Sequence, residues 1–230
     1  MKNKILILLP TRERPKKTHE AIQAWLKTKT AGKSDLVLGL DIDDPTLSDY
    51  IAINKQATFI NIGPRVKMCP TVNRLVKQFP DYKYYAFIGD DHVFRTKGWD
   101  EMMINKIEQN GGIGVCYGDD KLQGETLASA FVISKTFVDL QGGYIPDPRL
   151  IHMCMDNQVM ILARQFGKLF YIPEIIIEHM HYTTGKSKND AMYASVNNNI
   201  VLLADQKVLS EWRTQELPKI ITKYKEERNL

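Results

Sequence analysis

The 230-residue chain has few cysteines, no long apolar run and little charge of one sign, and each shortage removes a class of protein. Cys69, Cys116 and Cys154 stand far apart with no C-x-x-C pair, which argues against a disulfide framework or a cysteine-built zinc site. Three scattered thiols fit a reducing, cytoplasmic setting. No stretch approaches the roughly eighteen apolar residues that cross a bilayer. The opening apolar run, residues 5–9, is too short for a signal-peptide core and stops at Pro10. Lys and Arg number 31 against 27 Asp and Glu, and the resulting +4 favours a phosphate-bearing partner only slightly; a dedicated nucleic-acid binder is usually more basic. There is no internal repeat, and Thr184-Gly185-Lys186-Ser187 is only the tail of a phosphate loop, without its leading glycine.

The sequence does contain short β-branched or aromatic runs, each ending at Pro, Gly, Asp or His: KILILLP, DLVLGLD, ATFINIG, YYAFIG, GGIGVCYG and LFYIPEIIIEH. These read as strands. Helical patterns over residues 16–27, 47–55, 70–78 and 98–108 lie between them. Continuous apolar strands alternating with helices predict an α/β fold, a mainly parallel sheet covered on both faces. Beyond Gly118 the pattern predicts a strand over 126–134, helices over 135–141 and 157–167, and a helical tail from Ala191 with a break at Pro218.

In such sheets ligands collect beyond the carboxyl ends of the strands. Those ends carry Pro10-Thr11-Arg12, Asp41-Ile42-Asp43-Asp44 and Gly89-Asp90-Asp91-His92. Adjacent aspartates at the tip of a buried strand repel unless a cation or donor compensates. A divalent metal would do so, although Asp90 and Asp91 also suit a loop cap. In YIPEIIIEHMHY, alternation places His179 and His181 on one face at a strand end, where a pair suits metal ligation better than a lone histidine would. Asp156 opens a helix, as an N-cap or as a general base. Arg65 and Lys67 in IGPRVKMCP are solvated surface or phosphate contacts, and YTTGKSKND is a lid or a connector. The tyrosines 82, 84 and 85 are core or a stacking surface.

The order PTRERP, DIDD, FIGDDHVF, LASAFVISKTFVDLQGGY, MDNQVMILARQFG and YIPEIIIEH resembles the nucleotide-sugar glycosyltransferases of the GT-A fold, especially the inverting family 2 group. The resemblance spans about residues 4–182. It implies a GT-A-like (Rossmann-like) catalytic domain over 1–182, a helical C-terminal extension over 183–230 packed on it, and a nucleotide-sugar donor, a UDP sugar by family habit. It also implies Thr11, Arg12, Asp41 and Asp43 at base and ribose, Asn73 near the donor, and Asp156 as base to the acceptor hydroxyl. A divalent metal, Mn2+ or Mg2+, would sit on Asp91 and His179, with His181 beside them and Asp90 on the donor side. Two registers of the metal motif stay open, one ending at Asp91 after Gly89, the other running from Asp90 to His92. Met155 stands where the family commonly has an acid. The acceptor stays open among a saccharide, a small molecule and hydroxymethylated DNA.

Other patterns match one segment each. YGDD, residues 117–120, is also a polymerase metal motif; GLDIDDPT departs from the dehalogenase-type phosphatase pattern at Pro45; and the early TR-x-P lacks the glycine-rich leader of sugar nucleotidyltransferases. A noncatalytic nucleotide or nucleic-acid binding module on the same scaffold is the alternative to an enzyme.

Overall fold

Residues 5–9 alternate between two cores, and that alternation organises the molecule. In strand β1 (Lys2–Pro10), Leu6 and Leu8 join one buried cluster while Ile5, Ile7 and Leu9 join the other, so both faces of the sheet are covered. The computed structural model describes residues 1–190, Tyr193 and 199–227. Strands β2 (Ser34–Asp41), β3 (Phe59–Gly63) and β4 (Tyr82–Phe87) run parallel to β1, and β6 (Val115–Asp119), β7 (Phe131–Ser134), β8 (Leu169–His179) and β5 (His92–Phe94) complete the sheet. The order across the sheet is β3-β2-β1-β4-β7-β6-β8-β5. Only β7 and β5 run against the others, so the carboxyl ends of β1, β2, β4, β6 and β8 share one edge.

Helix α1 (Pro15–Thr28), with proline in its first turn, buries Ile22 and Trp25 against one face. The same face receives Trp99, Met103 and Ile107 of α4 (Trp99–Gln109). Helix α2 (Leu47–Ile53) follows β2 and buries Tyr50. The opposite face takes α3 (Met68–Gln78), α5 (Lys135–Leu140) and α6 (Met155–Gln165). Tyr82, Tyr84 and Tyr85 are core residues, at most 1% exposed, which removes the stacking surface.

Two expectations change. The strand expected over 126–134 shortens to β7, because Gly124–Thr126 forms a 3-10 turn with Gly124 at φ 55. The tail is helical in α7 (Asn199–Glu211) and α8 (Leu217–Glu227), but Pro218 does not break it; the helix is continuous and widens into a π turn at Trp212–Glu216, just before the position whose ring and missing N–H would disrupt a regular α-helix. Of that tail, residues 191–192, 194–198 and 228–230 lie outside those described. Trp212, Leu217 and Ile220 belong to the same core as α3 and α6. The three cysteines are free and buried, and no described helix is long and apolar enough to cross a membrane.

Candidate functional site

The loops after β1, β2 and β4, the end of β8 and the start of α6 line one cavity of about 400 Å³. Thr11, Arg12, Asp41, Arg65, Asp90, Asp91, Asp156, His179 and His181 all reach its wall. The backbone around it is strained. Of the four non-glycine residues at positive φ among the described residues, Lys67 and Cys154 line the cavity and Glu13 sits between two residues that do. Lys67, at φ 69 and ψ −178, occupies a region essentially reserved for glycine.

Asp90 and Asp91 are split between two networks. Asp90 accepts from Thr11 Oγ1 at 2.8 Å and from Arg14 Nη1 at 2.9 Å. The Thr11 hydroxyl also meets Thr18 and Tyr50, each at 2.9 Å. Burial pushes the Asp90 carboxyl up against the pull of Arg14. Arg14 in turn binds Asp190 Oδ1 at 2.5 Å, and its guanidinium lies 4.1 Å over the Tyr193 ring. Lys17 reaches the other oxygen of Asp190 at 3.0 Å, so the end of the YTTGKSKND loop is pinned to α1.

Asp91 faces the histidines. Its Oδ2 accepts from the Tyr193 hydroxyl at 2.6 Å and lies 3.3 Å from His179 Nε2; its Oδ1 lies 3.3 Å from His92 Nδ1. Burial works against ionising Asp91, but hydrogen bonds and charge from His179 and His92 hold its carboxyl well below the usual range. His92 and His179 are brought together by the sheet. They are directly paired in the antiparallel β5–β8 ladder, and their rings stack with centroids 4.2 Å apart. Burial would lower His179, yet Asp120 and Asp91 push it up to about 9, whereas burial and the neighbouring His179 lower His92. One donor atom from each of Asp91, His92 and His179 lies within 4.8 Å of the others. His92 Nε2 and His179 Nδ1 are buried without a hydrogen-bond partner. A carboxylate with two imidazoles, of which His92 Nε2 is buried with no hydrogen-bond partner, fits a divalent cation such as Mn2+ better than Mg2+, which prefers oxygen ligands. His181 is in the cavity wall but outside this cluster; it lies past the end of β8 and its Nδ1 meets Thr183 Oγ1 at 2.8 Å.

Asp156 is not an N-cap. Cys154, at φ 67, holds that position, and Asp156 lies in the first turn of α6 with Oδ1 accepting its neighbour Asn157's amide at 2.8 Å. Burial pushes its carboxyl up. Arg12 Nη1 binds Asp43 at 2.7 Å and Asp41 at 3.2 Å, a preset acidic pair around a guanidinium at the end of β1 and β2. Arg65 and Lys67 are exposed at the rim. Asn73 is not in the cavity wall; its amide bridges the chain at Ile145 N and Pro146 O, both at 3.0 Å.

The sequence reading passed over Arg14, Asp190, Tyr193 and Asp205. Asp205, from α7, is fully buried and accepts the amides of Ile151, His152 and Met153 at 2.9, 2.9 and 2.6 Å, fixing the segment that leads into Cys154 and Asp156. Only the doubled arginine of PTRERP hinted at Arg14.

No family model matches the chain, and no curated protein does. Among solved structures, S. aureus TarS is similar at 13% identity and a TM-score of 0.61, over 76% of this chain and 36% of that one. TarS 1-349 in complex with UDP gives 13% and 0.60 over 76% and 60% of the two chains; in complex with UDP-GlcNAc it gives 12% and 0.61 over 83% and 61%. The chain thus spans between 36% and 61% of the length of these neighbours. The likeness is one of fold, and it agrees with the Rossmann-like GT-A architecture expected from the order of strands and helices.

Proposed function

We propose that the chain is a glycosyltransferase that moves a sugar from a nucleotide diphosphate donor, UDP-linked, to an acceptor hydroxyl with inversion. One observation carries the reading: Asp91, His92 and His179 meet Asp156 in a single cavity at the carboxyl edge of the sheet. The fold is shared with structures holding UDP and UDP-GlcNAc, which supports the choice of donor. Residues 1–182 form the catalytic unit in this reading, and 183–230 form an extension whose Asp205 and Trp212 are built into it.

Arg12, held by Asp41 and Asp43, and Thr11 are the nucleoside side of the site. Arg65 supplies positive charge for the diphosphate from the rim. Asp91, His92 and His179 would hold a divalent cation, which when bound neutralises the charge developing on the departing diphosphate and contributes several kcal/mol to that step. Asp90 holds Arg14 and Thr11 in place and stays outside the cation seat. Asp156 takes the proton of the acceptor hydroxyl at a carboxylate oxygen, and its upward shift brings it closer to a working base. A base and a leaving group on opposite sides of the anomeric carbon give inversion by one displacement. Apolar Met68, Phe87, Met153 and Met155 on the wall limit the access of water that would otherwise hydrolyse the donor.

The test is a thermal-shift panel of UDP, GDP, CDP and dTDP sugars with and without Mn2+. A ligand selective for the folded state raises the midpoint, by about 2.7 kcal/mol of stabilisation at a hundred times its Kd. A UDP sugar should give the largest rise, and Mn2+ should enlarge it. No response to any nucleotide would end the proposal, and binding without Mn2+-dependent transfer or donor hydrolysis would reduce the chain to a binding module.

A further inference from the structure

Behind His179 lies a carboxylate for which the proposed reaction has no task. Asp120, the last residue of the YGDD run, follows β6 directly and is 3% exposed. Its Oδ1 accepts three successive backbone amides, Leu122 at 2.9 Å, Gln123 at 2.6 Å and Gly124 at 2.9 Å, which closes the turn. Closing a turn needs one acceptor oxygen, and an asparagine would serve equally. The second oxygen is used differently. Oδ2 accepts from Ser129 Oγ at 2.5 Å and lies 3.9 Å from Nδ1 of His179. That Nδ1 is one of the buried ring nitrogens without a partner, while Nε2 of the same ring faces Asp91. The main chain locks the two residues together as well, since the His179 amide donates to the Asp120 carbonyl at 2.8 Å.

A ligating imidazole is oriented and made a better donor when its other N–H is held by a carboxylate. The nitrogen turned towards Asp120 decides which nitrogen stays free for a cation. We propose that Asp120 is a positioning residue that keeps the proton of His179 on Nδ1, so that Nε2 presents its lone pair to a divalent cation seated at Asp91. The inference rests on the metal reading above. A ring shift of about 1 Å brings Nδ1 within hydrogen-bonding range of Oδ2. It also gives a use to the second aspartate of YGDD without any polymerase chemistry.

Mn2+ titrations of the full chain, followed by the electron spin resonance signal of free Mn2+, separate the two readings. Wild type should bind Mn2+ and Asp91→Asn should lose it. Asp120→Asn keeps an acceptor for the three amides but removes the anion facing Nδ1, and should bind Mn2+ about 10- to 100-fold more weakly. If wild type binds no Mn2+, or Asp91→Asn binds it normally, the metal reading falls and this inference with it. If Asp91→Asn loses Mn2+ while Asp120→Asn matches wild type, this inference alone is overturned. A second measurement does not depend on the variant folding: long-range nitrogen–proton NMR of metal-free wild type, taken where His179 is neutral, should show its single proton on Nδ1 and a bare Nε2. An unprotonated Nδ1 overturns the inference.

Discussion

Replacing Asp205 by alanine tests how far the C-terminal helix supports the site. The side chain is fully buried and its two oxygens take three backbone amides, so the perturbation removes three hydrogen bonds together. A hydrogen bond to a charged group contributes about 1.5–3 kcal/mol, and an amide left unsatisfied inside the protein costs about 1–3 kcal/mol. The three bonds share one carboxylate and do not add fully, so the expected loss is about 3–5 kcal/mol, at the upper end for single substitutions. For a domain of this size each kcal/mol moves Tm by about 2–4 °C, which places the expected drop near 10 °C. Asp205→Asn keeps one acceptor but turns an amide donor towards another N–H, and should lose a substantial part of the same amount. Urea unfolding of the three proteins reads the effect. A loss below about 1 kcal/mol for Asp205→Ala would refute the reasoning, because it would mean that residues 151–153 do not depend on this carboxylate.

The parts of the fold that were legible are those written in local sequence. Strands buried on both faces must be continuous apolar runs, and KILILLP, DLVLGLD and YYAFIG appear where β1, β2 and β4 lie. Strand β5 was not legible, because HVF is three residues long and exists only by pairing with β8, more than eighty residues later. The same distance hides the role of His92, which depends on the register that sets it opposite His179. Asp90 and Asp91 look equivalent in sequence, and only the approach of Arg14 from the start of α1 and of His179 from β8 separates them. Asp156 reads as a cap because helix starts favour aspartate; the positive φ of Cys154, which moves the cap position two residues back, leaves no trace in residue type. Asn73 resembles a donor contact, yet its hydrogen bonds go to the 145–146 segment. The edge of the sheet could be read from the sequence, and the pairing of side chains across it could not.

If Asp156 removes the acceptor's proton, Asp156→Asn should keep donor binding in calorimetry and lose about 10²- to 10⁴-fold in transfer; normal transfer would sink the role. Burial lowers His152 to about 4, aided by Lys67, against an unfolded value of 6.5. A depressed folded value means that stability from this group is complete above about pH 6.5 and is lost as pH falls towards 4; with discount for its partial exposure the loss is about 1–2 kcal/mol, and His152→Gln should remove that part of the change in urea unfolding between pH 7 and pH 4.5, whereas an identical pH response in both proteins would contradict it. The close approach of β6 to β8 at Gly118 makes the last prediction. A Cβ there would stand 2.1 Å from the carbonyl oxygen of Ile175 and 2.9 Å from its carbon, and both are backbone atoms that no rotamer change can move. The register of the two strands shifts between Gly118 and Asp119, where residues 173–175 of β8 leave the ladder, and a residue without a Cβ lets the backbone at Ile175 come this close. Gly118→Ala should therefore destabilise by about 1–3 kcal/mol or more by forcing the strands apart. Because β6 ends next to Asp120 and β8 ends at His179, the same separation should weaken Mn2+ binding, which the spin-resonance titration would detect. A Gly118→Ala protein with wild-type stability would show that the two strands do not meet as closely as the 2.1 Å approach requires.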